Sequence, residues 1–311
     1  MKLNYKSTVL VGFAFFSITL FWQVYDSMIP KVLENIFNFN NTERGLVMAA
    51  DNVVALFMLP LFGHLSDKTK TRWGRRTPYI VCGTVLSAAT IVAVGVCADY
   101  AMLVPFIVCL GFNLVFMSTY RSPAVSLMPD ITVKPLRSKA NAIINLMGAV
   151  GGIIALGLMS VLVKESVSSY IYSFIAAAVI MMLALVLFIV FVREKKLVER
   201  REEDEIKLGL EDDNRGEMNT VGRKLTKAER KSMIFLLLSV VFWFMGYNAV
   251  TSSFSVYAEV VWKIEGGGFS IPMMVASAAA IIAYVPVGIL ANKIGRKKTI
   301  LFGCALLAAM F

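Results

Sequence analysis

Two carboxylates, Asp26 and Asp51, lie well inside long apolar runs of this 311-residue chain. A charge in such surroundings is expensive, so it usually faces a cavity and serves a function. A carboxyl group that alternates between wet and dry surroundings takes up and releases a proton. Asp26 and Asp51 are therefore the candidates for proton coupling, against the plainer reading of a packing or hydrogen-bonding role. Beside them stand Trp22, Gln23, Tyr25 and Asn52, and much further along Trp243, Tyr247 and Asn248. These supply flat apolar faces and bidentate polar groups of the kind that line a concave site for a small-molecule ligand. Helix packing is the default for any one of the aromatics, but Trp22 and Trp243 are 221 residues apart, and so are two glycines of a repeated motif described below.

Other chemistries lack their residues. The chain has one histidine, His64, and no HExxH, P-loop or GxSxG sequence. Cys82, Cys97, Cys109 and Cys304 all fall in apolar runs without metal-ligand spacing. No enzyme, metal site or resident cofactor is expected from this pattern.

The elements that must position these residues are membrane helices. The chain is 58% hydrophobic and 17% charged, with mean hydropathy +0.71. Apolar runs of about 18 residues or more, enough to cross a bilayer, recur along it. They predict spans over 8–30, 44–63, 79–98, 102–120, 141–163, 170–192, 233–258 and 270–291, with a ninth beginning near 299. The net charge of +10 sits between these runs, which points to membrane topology rather than nucleic acid. Fifteen basic residues lie in one set of connections, against four (Lys31, Arg44, Lys164, Lys263) in the other. The positive-inside rule then puts the N-terminus in the cytoplasm. The N-terminal run has no small-x-small cleavage site and reads as an uncleaved span. Residues 193–232, dense in charge of both signs, read as a solvated cytoplasmic linker.

One motif occurs twice. Gly63-His64-Leu65-Ser66-Asp67-Lys68, followed by Gly74-Arg75-Arg76, is matched by Gly288, Asn292, Lys293, Gly295, Arg296 and Lys297. Each copy follows a proline, Pro60 or Pro286, and Asp67 and Asn292 are 225 residues apart. A repeated tight turn at this period predicts two half-proteins in tandem, as in secondary transporters. The expected domains are a six-helix half over 1–192, the linker over 193–232, and an incomplete second half over 233–311. Matching the first half would take roughly three more helices of about 20 residues. The charges of the motif suit a gate. Asp67 can meet Arg72, Arg75 or Arg76, and Arg121 can meet Asp130 or snorkel. Asn292 and Arg296 are the second-half counterparts. Gly148 and Gly152, with Gly151 and Gly157, give the fifth span a small-residue face for close packing.

The Gly-x-x-x-Asp-Lys…Gly-Arg-Arg pattern resembles the loop between spans 2 and 3 of the major facilitator superfamily. The stretch from Pro60 to Pro78 is more specific. With the stretch from Tyr120-Arg121-Ser122-Pro123 through Pro129-Asp130 to Arg137, Asn141 and Asn145, it resembles the glycoside–pentoside–hexuronide cation symporters and the related sucrose/proton symporters. The resemblance implies an all-α polytopic membrane protein with the major-facilitator fold: twelve helices in two six-helix halves, the second truncated here. It implies alternating access and uptake of a sugar or glycoside driven by H⁺ or Na⁺. Melibiose-type relatives place acidic Na⁺ ligands at positions that here hold Leu59 and Ala55, so the sucrose/proton branch fits better. The expected partners are a small sugar or glycoside and the lipid bilayer, with no nucleic acid, in a monomer of the cytoplasmic membrane. The alternatives are a non-transporting membrane sensor, with 193–232 as its output segment, or an inert truncated transporter.

Overall fold

A computed structural model describes residues 4–163, 169–207, 226–264 and 266–310. The described residues form ten α-helices: α1 (Tyr5–Asn35), α2 (Asn41–Lys68), α3 (Thr77–Asp99), α4 (Leu103–Ile131), α5 (Arg137–Leu162), α6 (Ser169–Phe191), α7 (Glu194–Lys207), α8 (Lys227–Val260), α9 (Ser270–Ile294) and α10 (Arg296–Met310), with a 3₁₀ turn at Lys134–Leu136. Seven spans among them are long and apolar enough to cross a membrane. In a bilayer the helix satisfies its own backbone, which is why apolar runs of this length take no other form.

The helices overrun their apolar cores because polar caps extend them. Asn40 and Glu43 form a capping box at the start of α2, and Thr226 and Glu229 form one at the start of α8. The backbone N–H and the hydroxyl of Thr226 hold the Glu229 carboxyl below its usual range. The largest departure from the expected spans is α4. Pro123 and Pro129 suggest a break after Tyr120, yet the helix continues to Ile131. Neighbouring groups support it there: Ser122 Oγ donates to the Leu59 carbonyl at 2.8 Å, and Arg137 Nη2 donates to the Pro129 carbonyl at 3.1 Å.

The stretch expected as a solvated linker, with room for short helices, is less solvated over its first part. α7 is a helix with Glu194 and Glu205 buried, and α8 begins six residues before the expected 233. Residues 208–225 lie outside the described residues.

The core sits among α1, α3, α4, α5 and α6. α1 packs on α5 and α6, α3 on α4 and α6, and α2 on α4. Small residues set the closest approach. A Cβ added at Gly151 on α5 would lie 2.3 Å from the Phe16 carbonyl oxygen of α1, whereas one added at Gly157 would meet nothing within 4 Å. Gly151→Ala must push two helices apart, at about 1–3 kcal/mol. Gly157→Ala is expected to be neutral or to gain up to about 1 kcal/mol of helix propensity. Thermal unfolding of the two variants in detergent should separate them in that order; equal melting temperatures would show that α1 and α5 do not pack this closely.

Candidate functional site

Midway along the bundle, α1 presents an aromatic cluster. Tyr25 is fully buried, stacks on Phe21 at 5.9 Å between ring centroids and meets Trp22 edge-on at 5.3 Å. One turn beyond Trp22, on the same helix face, stands Asp26. Arg121 of α4 lies over the Trp22 ring, 5.5 Å from its centroid, in cation–π range. Asp26, Asp51 and Arg121, from α1, α2 and α4, are all in electrostatic reach of one another. Asn52 donates from Nδ2 to Asp51 Oδ1 at 2.6 Å. Trp22 Nε1 and Tyr25 Oη are buried without a protein hydrogen-bond partner. Unsatisfied donors beside two carboxylates and a guanidinium are what a hydroxyl-rich ligand can satisfy.

Not every expected ligand-binding residue joins this cluster. Gln23 donates to Ser27 Oγ at 3.3 Å, and its Oε1 faces Gly152 of α5. Trp243 stacks on Tyr247 at 5.6 Å, and both rings, like Asn248, are exposed on α8. Arg121 does not meet Asp130, the first of the two partners open to it. Because α4 continues as a helix, Arg121 and Asp130 are nine residues apart along one rod, roughly 13 Å, and Asp130 pairs elsewhere.

At the Gly74 end of the bundle, a second cluster forms around Arg76, whose side chain is 5% exposed. Its Nε donates to Asp130 Oδ2 at 2.9 Å, Nη1 to Ser66 Oγ at 2.5 Å, and Nη2 lies 2.5 Å from Asp67 Oδ1. Arg75 Nη2 takes the other Asp130 oxygen at 3.0 Å. Of the three arginines open to Asp67 from sequence, the structure selects Arg76, while Arg72 is exposed. Beneath them, Glu194 at the start of α7 accepts the backbone N–H of Arg75 (2.8 Å), Arg76 (3.0 Å) and Thr77 (2.8 Å), and the Thr77 hydroxyl (2.7 Å). A carboxylate is thus held at the positive end of α3. Asn292 and Arg296 have side chains outside the described residues.

A third cluster, at the opposite end, was not expected. Lys31 lies inside α1 rather than in a connection, and is 1% exposed. Its Nζ lies 2.6 Å from Glu259 Oε2 of α8, donates to the Gly266 carbonyl at 3.0 Å, and sits over the Phe269 ring, 4.6 Å from its centroid. Asn35 Nδ2 donates to Glu259 Oε1 (3.3 Å) and to Tyr170 Oη (2.9 Å). Gly267 N donates to the Val163 carbonyl at 2.8 Å. The buried residues of α8, Ser255, Val256 and Ala258, lie at this end, whereas every residue from Thr226 to Ala249 is exposed. The one sequence signal for this cluster is a lysine following an apolar run directly, with no turn residue except Pro30.

The family described as Major Facilitator Superfamily matches residues 11–311. The chain belongs to that superfamily. A solved structure of a facilitator fold, the xylose transporter XylE from E. coli in a partially occluded inward open conformation, is similar with a TM-score of 0.66 at 12% identity, over 94% of this chain and 74% of that one. Among curated relatives, the isoprimeverose transporter of Lactiplantibacillus pentosus is 23% identical over 94% of this chain and 60% of its own length. The sucrose transport protein SUT1 of Oryza sativa subsp. japonica is 31% identical over 33% of this chain and 22% of its own, and SUC3 of Arabidopsis thaliana is 24% identical over 43% and 25%. The chain therefore spans less than two thirds of each of these relatives.

The two ionic clusters of this facilitator predict ordered costs. Arg76→Ala leaves Asp130 with Arg75 alone and takes the donor from Ser66 and Asp67, and should lose about 1–3 kcal/mol. Asp67→Asn should cost about 1 kcal/mol or less, since Asp67 is 54% exposed. Arg76→Lys should recover less than half of the Ala loss, because one ammonium nitrogen cannot reach acceptors set apart on Nε, Nη1 and Nη2 of a planar guanidinium. At the other end, Glu259→Gln strands a buried ammonium and should cost more than Lys31→Met, which strands a carboxylate 33% exposed. Melting temperatures in detergent test both orders, and a reversal in either overturns the corresponding pairing.

Proposed function

We propose that the protein is a secondary transporter that carries a sugar or glycoside together with a proton across the cytoplasmic membrane, by alternating access between two halves. The observation that carries the reading is that Asp26, Asp51 and Arg121, from three helices, lie within electrostatic reach of one another inside a membrane-spanning bundle, with Arg121 over the Trp22 ring. Charges in that position have no structural need to be there and are matched to a ligand or a proton. The sugar class is supported by the printed names of the relatives, sucrose and isoprimeverose transporters. Leu59 and Ala55 leave no acidic pair on α2 for Na⁺, which favours H⁺.

In this reading the Gly74 end faces the cytoplasm, on the strength of the fifteen basic residues against four. The Lys31 cluster then closes the outer side, and α8 diverges from α1 toward the inner side. Residues 1–192 act as one half, and 233–311 belong to the other. Asp26 and Asp51 exchange the proton, Arg121 offers a counter-charge that a deprotonated carboxylate can use, and Trp22 offers a face for a pyranose ring.

Labelled α-glucoside uptake into vesicles, with and without an imposed pH gradient, tests the proposal. Wild-type protein should accumulate sugar only with the gradient. Asp26→Asn and Asp51→Asn are expected to reduce accumulation by more than tenfold while remaining in the membrane at normal levels. Full gradient-driven accumulation in both variants overturns the assignment of the coupling carboxylates.

A further inference from the structure

The five basic residues between α2 and α3 divide into two groups. Arg75 and Arg76 are committed to Asp130 and Asp67. Lys68, Lys70 and Arg72 are exposed, and none of them is ion-paired among the described residues. Between the two groups stands Trp73, 60% exposed although it is among the largest apolar side chains in the protein. An exposed indole directly following three unpaired cations in the chain is not what a water-facing turn requires, since each cation would be solvated equally well without it.

The turn that carries Trp73 is held in shape. Thr71 and Gly74 form an antiparallel bridge, and Gly74 N donates to the Thr71 carbonyl at 3.3 Å. The Thr71 hydroxyl donates to the Gly74 carbonyl at 2.5 Å and accepts from Trp73 N at 3.3 Å. Gly74 takes φ +122°, a conformation other residues avoid, and the next three backbone N–H groups are clamped by Glu194. The ring is therefore carried by a braced turn and left largely exposed.

Its height is set by the helices. Leu61, Leu65 and Lys68 stand at i, i+4 and i+7 on one face of α2, all exposed, so the apolar stripe passes into the cation within one turn, roughly 5 Å. Trp73 and the three cations consequently lie where the hydrocarbon ends and the phosphates begin. Indole rings partition to that layer, and cations there are drawn to anionic headgroups.

We propose that the Lys68–Trp73 turn is a binding site for the headgroup of an anionic phospholipid, with Lys68, Lys70 and Arg72 around the phosphate and Trp73 seated beside the glycerol. The site is independent of the sugar and the proton, so it stands whether or not the transport reading does.

The test uses the whole protein in nanodiscs of phosphatidylcholine with increasing phosphatidylglycerol. The Trp73 contribution is read as wild-type emission minus that of Trp73→Phe. The expected result is a blue shift of that component as phosphatidylglycerol is added, reversed by high salt. The phosphatidylglycerol fraction needed for half the shift should rise about fivefold for each cation removed in Lys68→Gln, Lys70→Gln and Arg72→Gln. Because these three side chains are exposed and form no side-chain hydrogen bond or ion pair among the described residues, their melting temperatures should match wild type. An emission that ignores phosphatidylglycerol, or a triple variant that titrates like wild type, overturns the proposal. So does the same shift produced by inorganic phosphate in pure phosphatidylcholine, which would mean that the turn binds a free anion rather than a lipid.

Discussion

An ion in a bundle surrounded by hydrocarbon must be compensated locally, and the arrangement of this protein follows from where that compensation is found. Lys31, Arg76 and Glu194 are all nearly inaccessible to solvent, and each meets three or more partners. A single counter-ion would not suffice, because the desolvation cost of a buried charge can exceed the attraction of one neighbour. Each buried ion therefore gathers segments distant in the chain. Arg76 brings the ends of α2 and α4 together, Glu194 joins α7 to the start of α3, and Lys31 joins α1 to α8 and the residues that follow it. Apolar packing fills the space between helices, but it has little preference for one partner over another in a lipid setting. The ions supply the register.

Between these two fixed ends lies a region built differently. Asp26, Asp51 and Arg121 share a neighbourhood without a direct ion pair among the described residues, and two aromatic donors near them are left unsatisfied. The polar groups that meet Lys31, Arg76 and Glu194 are hydrogen-bonded to them, whereas the two aromatic donors beside Asp26 have no protein partner. Buried polar groups left unmet in this way are where a ligand or an ordered water would be accommodated.

Seven of the eight expected spans, which the structure has as long apolar helices, the two carboxylates within them and the repeated Gly-Arg turn were legible because they depend on composition and local spacing. Arg121 was misplaced because Pro123 and Pro129 are ordinarily breakers, and only the contacts of α4 with its neighbours show that the helix survives them. Glu194 was invisible within a run of mixed charge, where a docked carboxylate and a solvated one have the same sequence. Lys31 was read as a loop cation because hydropathy ends a span where the first charge appears, whereas the helix ends where its caps are. In all three cases the missing information was tertiary: which carbonyl, ring or carboxylate came back to meet the side chain. The expected partnership of Trp22 with Trp243 was legible as a spacing, but spacing carries no distance between helices.

The partners of Lys31 outside its own helix, Glu259, Gly266 and Phe269, occupy eleven consecutive positions of the chain. An ammonium whose contacts were scattered over several helices could lose them one at a time and rest at intermediate openings. Here a single displacement of that short stretch removes the carboxylate, the carbonyl and the ring together, and the ammonium passes from fully dry to fully wet. The fastening is thus all-or-none, with a sharp threshold in place of a graded spring, and the first helix feels its release as one step.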